Sequence, residues 1–158
     1  MNKCNQTRIR NGFALIIDDS GHRKSGNFTE GVGRQYIGEI GKTDIGILIV
    51  TTHLFDGVRS LPLDVELYQL GDSLPQGKED NDFVKKPDIA LKLINQTIER
   101  KYHPGIVLID GGYGNNSTFL KELEKLELNY IGGLAKNRLA SVINSETGKK
   151  QSEKRLDE

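Results

Sequence analysis

Tryptophan is absent from this chain of 158 residues, cysteine and methionine occur once each, and aromatic residues make up 6%. The single cysteine, Cys4, excludes an internal disulfide and lies in a polar terminus with no nearby histidine, which argues against a zinc site or a thiol nucleophile. No apolar run approaches the roughly 18 residues needed to span a bilayer. Residues 1–10 are polar and lack the apolar stretch of a secretory signal. Net charge is missing too: 22 Lys+Arg balance 22 Asp+Glu. Any nucleic-acid affinity therefore has to come from a local basic face and not from a global field. These absences leave an expected cytoplasmic chain with no membrane partner, about one domain in size.

Glycine is what the chain has in excess, 18 residues, or about 11% against a usual 7% or so. Seven of them, from Gly21 to Gly46, fall in one stretch. Just before it, Phe13–Ile17 is a continuous apolar run, the pattern of a strand buried on both faces. The run ends at Asp18-Asp19-Ser20-Gly21, which reads as a turn, followed by a basic loop over His22–Gly26. Gly33–Glu39 is a strand weakened by glycine, and Ile45–Phe55 is the strongest β segment in the chain. The short turns between these runs favour antiparallel neighbours. Leu61–Tyr68 extends the sheet, with Pro62 confining it to an edge or a strand start.

A long polar loop follows over Gln69–Asp82. Pro87 and Asp88 then open a helix whose stripe is Leu91, Ile94 and Ile98, stopped at His103-Pro104-Gly105. Ile106–Ile109 is a second buried strand pattern ending in Asp110-Gly111-Gly112. Asn116 or Ser117 caps a helix with Phe119, Leu120, Leu123 and Leu126 on its buried side. Asn129 ends it, and Tyr130–Leu134 is a last short strand. The order β-β-β-α-β-α-β predicts an α/β fold with a ribonuclease-H-like mixed sheet. Residues 1–12 read as a polar lead-in, 13–138 as the core and 139–158 as a charged tail.

Two buried strands thus end in aspartate, at Asp19 and Asp110. Ligand sites in open α/β sheets gather beyond the carboxyl ends of strands. Paired carboxylates there suit a hard divalent ion with oxygen ligands. Two such ions clamp the oxygens of a phosphodiester displacement. Side chains alternate faces along a strand, so only one of Asp18 and Asp19 is expected at the site. Asp19, nearest the turn, is taken as the ligand, and Asp18 as a cap or a partner for a basic neighbour. The plainer alternative is that both motifs are turns, where Asp and Gly are common. His22, Arg23, Lys24, Arg34 and Lys42 surround the first acid in sequence. They suit phosphate-backbone contact or, equally, an ordinary solvated loop. His53 reads as a satisfied histidine within a strand, and Tyr113 either packs or stacks on a base.

The strings Leu15-Ile16-Ile17-Asp18-Asp19-Ser20-Gly21, Lys24-Ser25-Gly26, Gly31-Val32-Gly33-Arg34-Gln35-Tyr36 and Gly38-Glu39-Ile40-Gly41-Lys42 resemble bacterial insertion-sequence DDE transposases. So do Pro62–Tyr68, Phe83-Val84-Lys85-Lys86-Pro87 and Ile109-Asp110-Gly111-Gly112-Tyr113-Gly114, in order and over most of the chain. The resemblance implies a ribonuclease-H-like core in which two aspartates and a glutamate hold two Mg²⁺ ions, with Mn²⁺ as an alternative. Asp19 matches the first acid and Asp110 the second, as catalytic and metal residues. The implied activity is hydrolysis at transposon ends followed by strand transfer to target DNA, in an oligomeric synaptic complex. The family's glutamate lies in a Tyr…Arg…Glu…Lys context that this sequence does not match after Leu134. Glu146, Glu153, Asp157 and Glu158 are the acids that remain. The family's helical region ahead of the first acid is unmatched as well. The expectation is a partial chain, truncated at both ends and inactive by itself. The alternatives are a non-catalytic DNA-binding remnant or regulator, and a nuclease that draws its third acid from the tail.

Overall fold

Alternation of apolar side chains becomes a six-stranded mixed sheet in the computed structural model, which describes residues 12–26, 28–144 and 146–157. Cys4 and most of the polar lead-in lie outside the described residues. The sheet begins with β1 (Ala14–Arg23), β2 (Gly33–Ile37), β3 (Lys42–Phe55) and β4 (Ser60–Tyr68). β3 is the long central element, antiparallel to β1, to β2 and to β4. β4 pairs with β3 through a register shift between Thr52 and His53, beside Pro62, which has no amide hydrogen to donate. After the helix α1 (Lys86–Glu99) the chain re-enters the sheet as β5 (Ile106–Ile109), parallel to β1. A four-residue helical turn, α2 (Gly111–Gly114), leads to α3 (Ser117–Lys125), and β6 (Tyr130–Gly132) closes the sheet parallel to β5. The mixed α/β character matches the sequence reading.

Three details differ from that reading. β1 does not turn at Asp18: it stays paired with β3 through Arg23, so the acids, His22 and Arg23 lie on a strand. The ladder continues because Gly46 opposes Arg23 and lets the strands close up; a Cβ there would sit 2.5 Å from the His22 carbonyl oxygen. Second, the buried stripe of α1 is Ile89, Ala90, Leu93, Ile94 and Thr97, with Leu91 and Ile98 only partly buried at its flanks. The helix stops at Glu99, and Lys101 turns the chain with a positive φ of 67°. Third, the charged tail forms a separate antiparallel pair, β7 (Leu139–Ile143) and β8 (Lys150–Arg155).

The core lies between one face of the sheet and the helices. Leu15, Ile17, Val50, Leu54, Val107 and Ile109 meet the α1 stripe and Phe119 and Leu123 of α3. Each such side chain contributes about 1.5–3 kcal/mol on burial. Two ion pairs tie β4 to α1: Lys92 to Glu66 at 2.6 Å and Arg100 to Asp64 at 2.5 Å. The opposite face, with Ala14, Ile16, Leu108 and Ile49, is only half-buried. Asn116 caps α3 by accepting from the Phe119 amide at 3.0 Å.

Candidate metal centre

The pairing of β1 with β5 ends at Ile17 and Ile109, and the acids follow at that step. Asp110 follows directly after β5, as Asp18 follows the last residue of β1 that pairs with β5, and it caps α2. Its Oδ1 accepts from the amides of Gly112 at 2.9 Å and Tyr113 at 3.2 Å. Two backbone donors therefore fix the orientation of this carboxylate. The turn is held close to β6, since a Cβ on Gly114 would stand 2.1 Å from the Gly133 oxygen. Gly114, after the second acid, thus admits protein backbone. Asn115 ties the same turn to the following loop, accepting from the Ala135 amide at 2.9 Å.

Asp18, Asp19 and Asp110 each present a carboxylate oxygen, and the three oxygens lie within 4.8 Å of one another. Both neighbouring aspartates of β1 therefore join the cluster, against the expectation that alternation admits only one. Asp19 belongs to the face of Leu15 and Ile17, and Asp18 to that of Ala14 and Ile16. With β5 ended, no described strand lies along this edge of β1, so carboxylates from both faces can converge around the edge. The Asp19 amide donates to Asp18 Oδ1 at 2.8 Å, and Thr51 Oγ1 donates to the Asp18 carbonyl at 3.2 Å. Burial pushes the Asp18 carboxyl above the ordinary aspartate range. The hydrogen bond from Asp19 opposes this, while the Asp19 and Asp110 charges add to it and His53 works against it.

A cleft of about 520 Å³ opens over the cluster, with Gln35, Tyr36, Tyr68 and Lys86 on its walls. Lys86, the first residue of α1, reaches Asp19 Oδ2 with its ammonium at 2.5 Å and lies 5.4 Å from the centre of the Tyr68 ring. The sequence reading did not select Lys86 as a site residue, although it lies in one of the strings that carried the resemblance. Tyr113 packs: it is buried against Phe119, ring centres 5.5 Å apart. Among the described residues its hydroxyl has no hydrogen-bond partner. Burial, then the Asp19, Asp110 and Asp18 charges, hold its pKa above the ordinary tyrosine value.

The basic residues gather elsewhere. Arg23 pairs with Asp44 at 3.0 Å, and the positive charges of Lys42 and Arg34 also act on that carboxylate. The Ile45 amide and then these cations hold the Asp44 carboxyl below its ordinary value. His22 faces Glu39 at 3.6 Å, and the Lys24 amide donates to the Ile45 carbonyl. Of the tail acids, Glu153 is engaged by Lys150 and Ser141, and Asp157 by Arg155. Among the described residues the acidic cluster contains the three aspartates and no glutamate. No helix of the described residues is long and apolar enough to cross a membrane.

Residues 3–155 match the family model of the DDE superfamily endonucleases. A probable transposase for insertion sequence element IS701 from Microchaete diplosiphon is 37% identical over 131 residues, which cover 82% of this chain and 33% of that protein. The chain thus spans about a third of the length of the curated relative it matches. No solved structure matches it significantly.

Proposed function

The chain belongs to the DDE superfamily endonucleases, and from that premise we propose that Asp18, Asp19 and Asp110 hold the divalent metal of a transposase catalytic core. The observation that carries this is the convergence of three carboxylate oxygens within 4.8 Å where the parallel pairing of β1 with β5 ends. The donor set fits the ion: it is all oxygen, as Mg²⁺ or Mn²⁺ prefers. The mutual repulsion that helps to raise the Asp18 pKa is what a bound cation relieves. When bound, divalent ions of this class polarise a phosphodiester and activate water for in-line displacement. The chain's own residues supply the frame. Asp110 is held by two amides, Asp18 and Asp19 by the β1–β3 ladder, and the cleft leaves room for a strand beside them.

We assign the core to residues 13–138, a ribonuclease-H-like unit, because the sheet and the cleft lie within it while β7 and β8 pair with each other. His22, Arg23, Lys24, Arg34 and Lys42 are assigned to DNA phosphates; they follow the acids along β1 and cross to β2 and β3. The substrates by this reading are transposon ends and target DNA. For this chain alone we expect metal binding without strand cleavage, since Glu153 and Asp157 are paired locally and, among the described residues, the cluster lacks the glutamate of the family's triad. Calorimetric titration with Mn²⁺ tests the site. The chain should bind Mn²⁺, and Asp19→Asn and Asp110→Asn should each abolish binding while keeping the circular dichroism of the parent. Binding that survives both substitutions overturns the assignment. Metal-dependent nicking of a transposon-end duplex by this chain overturns the expectation of inactivity.

A further inference from the structure

We propose that Lys86 is a built-in counter-ion of the acidic cluster, which a divalent cation has to displace from Asp19; this rests on the reading of the cluster as a metal site. The position of Lys86 is unfavourable for helix formation alone. As the first residue of α1 it puts a positive charge where the helix already presents unpaired amides and the positive end of its dipole. What it gains lies across the cleft: its ammonium is 2.5 Å from Asp19 Oδ2, with the two side chains only 34% and 21% exposed. Among the described residues it is the basic side chain that makes an ion pair with the cluster.

Lys86 and the three aspartates carry formal charges of +1 and −3, so the ammonium removes a third of the charge the fold has to hold together. Asp19 Oδ2 cannot serve an ammonium at this distance and a doubly charged ion together without setting two cations side by side in a partly buried cleft. One of them leaves. Lysine is suited to leaving, with a compact charge on a flexible four-carbon stem. The Tyr68 ring, 5.4 Å from the ammonium, offers a face on which the cation can rest without a carboxylate. Lys86 is thus a positioning residue for Asp19 in the metal-free protein and a competitor of the metal in the loaded one.

Calorimetry of the whole chain with MnCl₂ separates this from a purely structural role. Lys86→Met keeps most of the stem and removes the charge, and should bind Mn²⁺ on the order of tenfold more tightly. Lys86→Arg keeps the charge and should stay near the parent affinity. Thermal unfolding gives a second readout. Metal-free Lys86→Met should melt below the parent, and saturating Mn²⁺ should raise its Tm by more than it raises the parent's. In the parent, Mg²⁺ should shift the NMR signal of the Lys86 ε-carbon. Equal or weaker Mn²⁺ affinity in Lys86→Met, with the parent binding normally, overturns this inference and leaves the metal site standing. If neither protein binds Mn²⁺, the metal reading of the cluster falls and this inference with it.

Discussion

The two charged groups of this molecule are near mirror images in sign. Among the described residues, three aspartates at one face Lys86, while at the other Arg23 pairs with Asp44 and the charges of Arg34 and Lys42 act on the same carboxylate. They share β1, four residues apart from Asp19 to Arg23, or roughly 13 Å along an extended strand. Their environments differ. The acids meet at a step in the sheet, with Asp110 locked by two amides and Asp19 partly covered by Lys86. The cations stand on strands facing solvent, where water and salt do most of the neutralising. Like charge concentrated by the backbone calls for a ligand, whereas like charge spread along an exposed surface can wait for one.

The largest break in this comparison should come from metal. Asp19→Asn or Asp110→Asn should reduce Mn²⁺ binding to below calorimetric detection, while Arg23→Ala, Arg34→Ala and Lys42→Ala leave the affinity unchanged. Metal affinity that follows the arginines would dissolve the distinction between the two groups.

Next in size are two glycine substitutions, one in each region. Gly114→Ala drives a Cβ into the Gly133 carbonyl, and Gly46→Ala drives one into the His22 carbonyl. Each should cost about 1–3 kcal/mol in urea unfolding, as overpacking does. They part company on function: Gly114→Ala should also weaken Mn²⁺ binding by unseating α2 under Asp110, and Gly46→Ala should instead disturb the basic group.

A smaller effect is expected on DNA. Removing Arg23, Arg34 or Lys42 should each lower the slope of log K against log salt for duplex DNA by about 0.9. Asp19→Asn should not lower it. A slope that none of the three moves would make these residues an ordinary solvated surface.

The smallest is a difference in titration. By carboxyl-carbon NMR, Asp18 should titrate above the ordinary aspartate value and Asp44 below it. The linked stability terms then run in opposite directions. The contribution of Asp18 is fully present below the ordinary value and is lost as pH rises through its raised pKa. That of Asp44 is present above the ordinary value and is lost as pH falls through its lowered pKa. Finding the two in the reverse order would contradict both environments.

Much of this was legible in the sequence, for reasons that can be located. Runs such as Phe13–Ile17 and Ile106–Ile109 have only one stable use, a strand covered by neighbours, and an acid after each marks the strand end. The α3 stripe was legible because Asn116 announces it and Phe119, Leu120, Leu123 and Leu126 recur at helical spacing. What stayed hidden depended on which strand ends first. Alternation on a long strand separates Asp18 from Asp19; it fails where β5 stops, and nothing in residues 13–23 reports the length of β5. Lys86 was hidden because its partner is 67 residues away in sequence. The β7–β8 pair was hidden because Asn144 to Glu158 shows almost no apolar alternation, and its ladder joins largely polar side chains.

The step in the sheet also bears on solubility. From Asp18 to Arg23 no described strand pairs with β1 on the side that β5 has left. That stretch is an open edge, the kind of backbone that recruits strands from other molecules. The side chains it carries include Asp18, Asp19, His22 and Arg23, and a strand arriving edge-on would have to strip water from these charged and polar groups. Neutralising the aspartates to test catalysis therefore also removes a guard against sheet-to-sheet association. Such variants should be monitored by light scattering alongside any assay of metal or DNA.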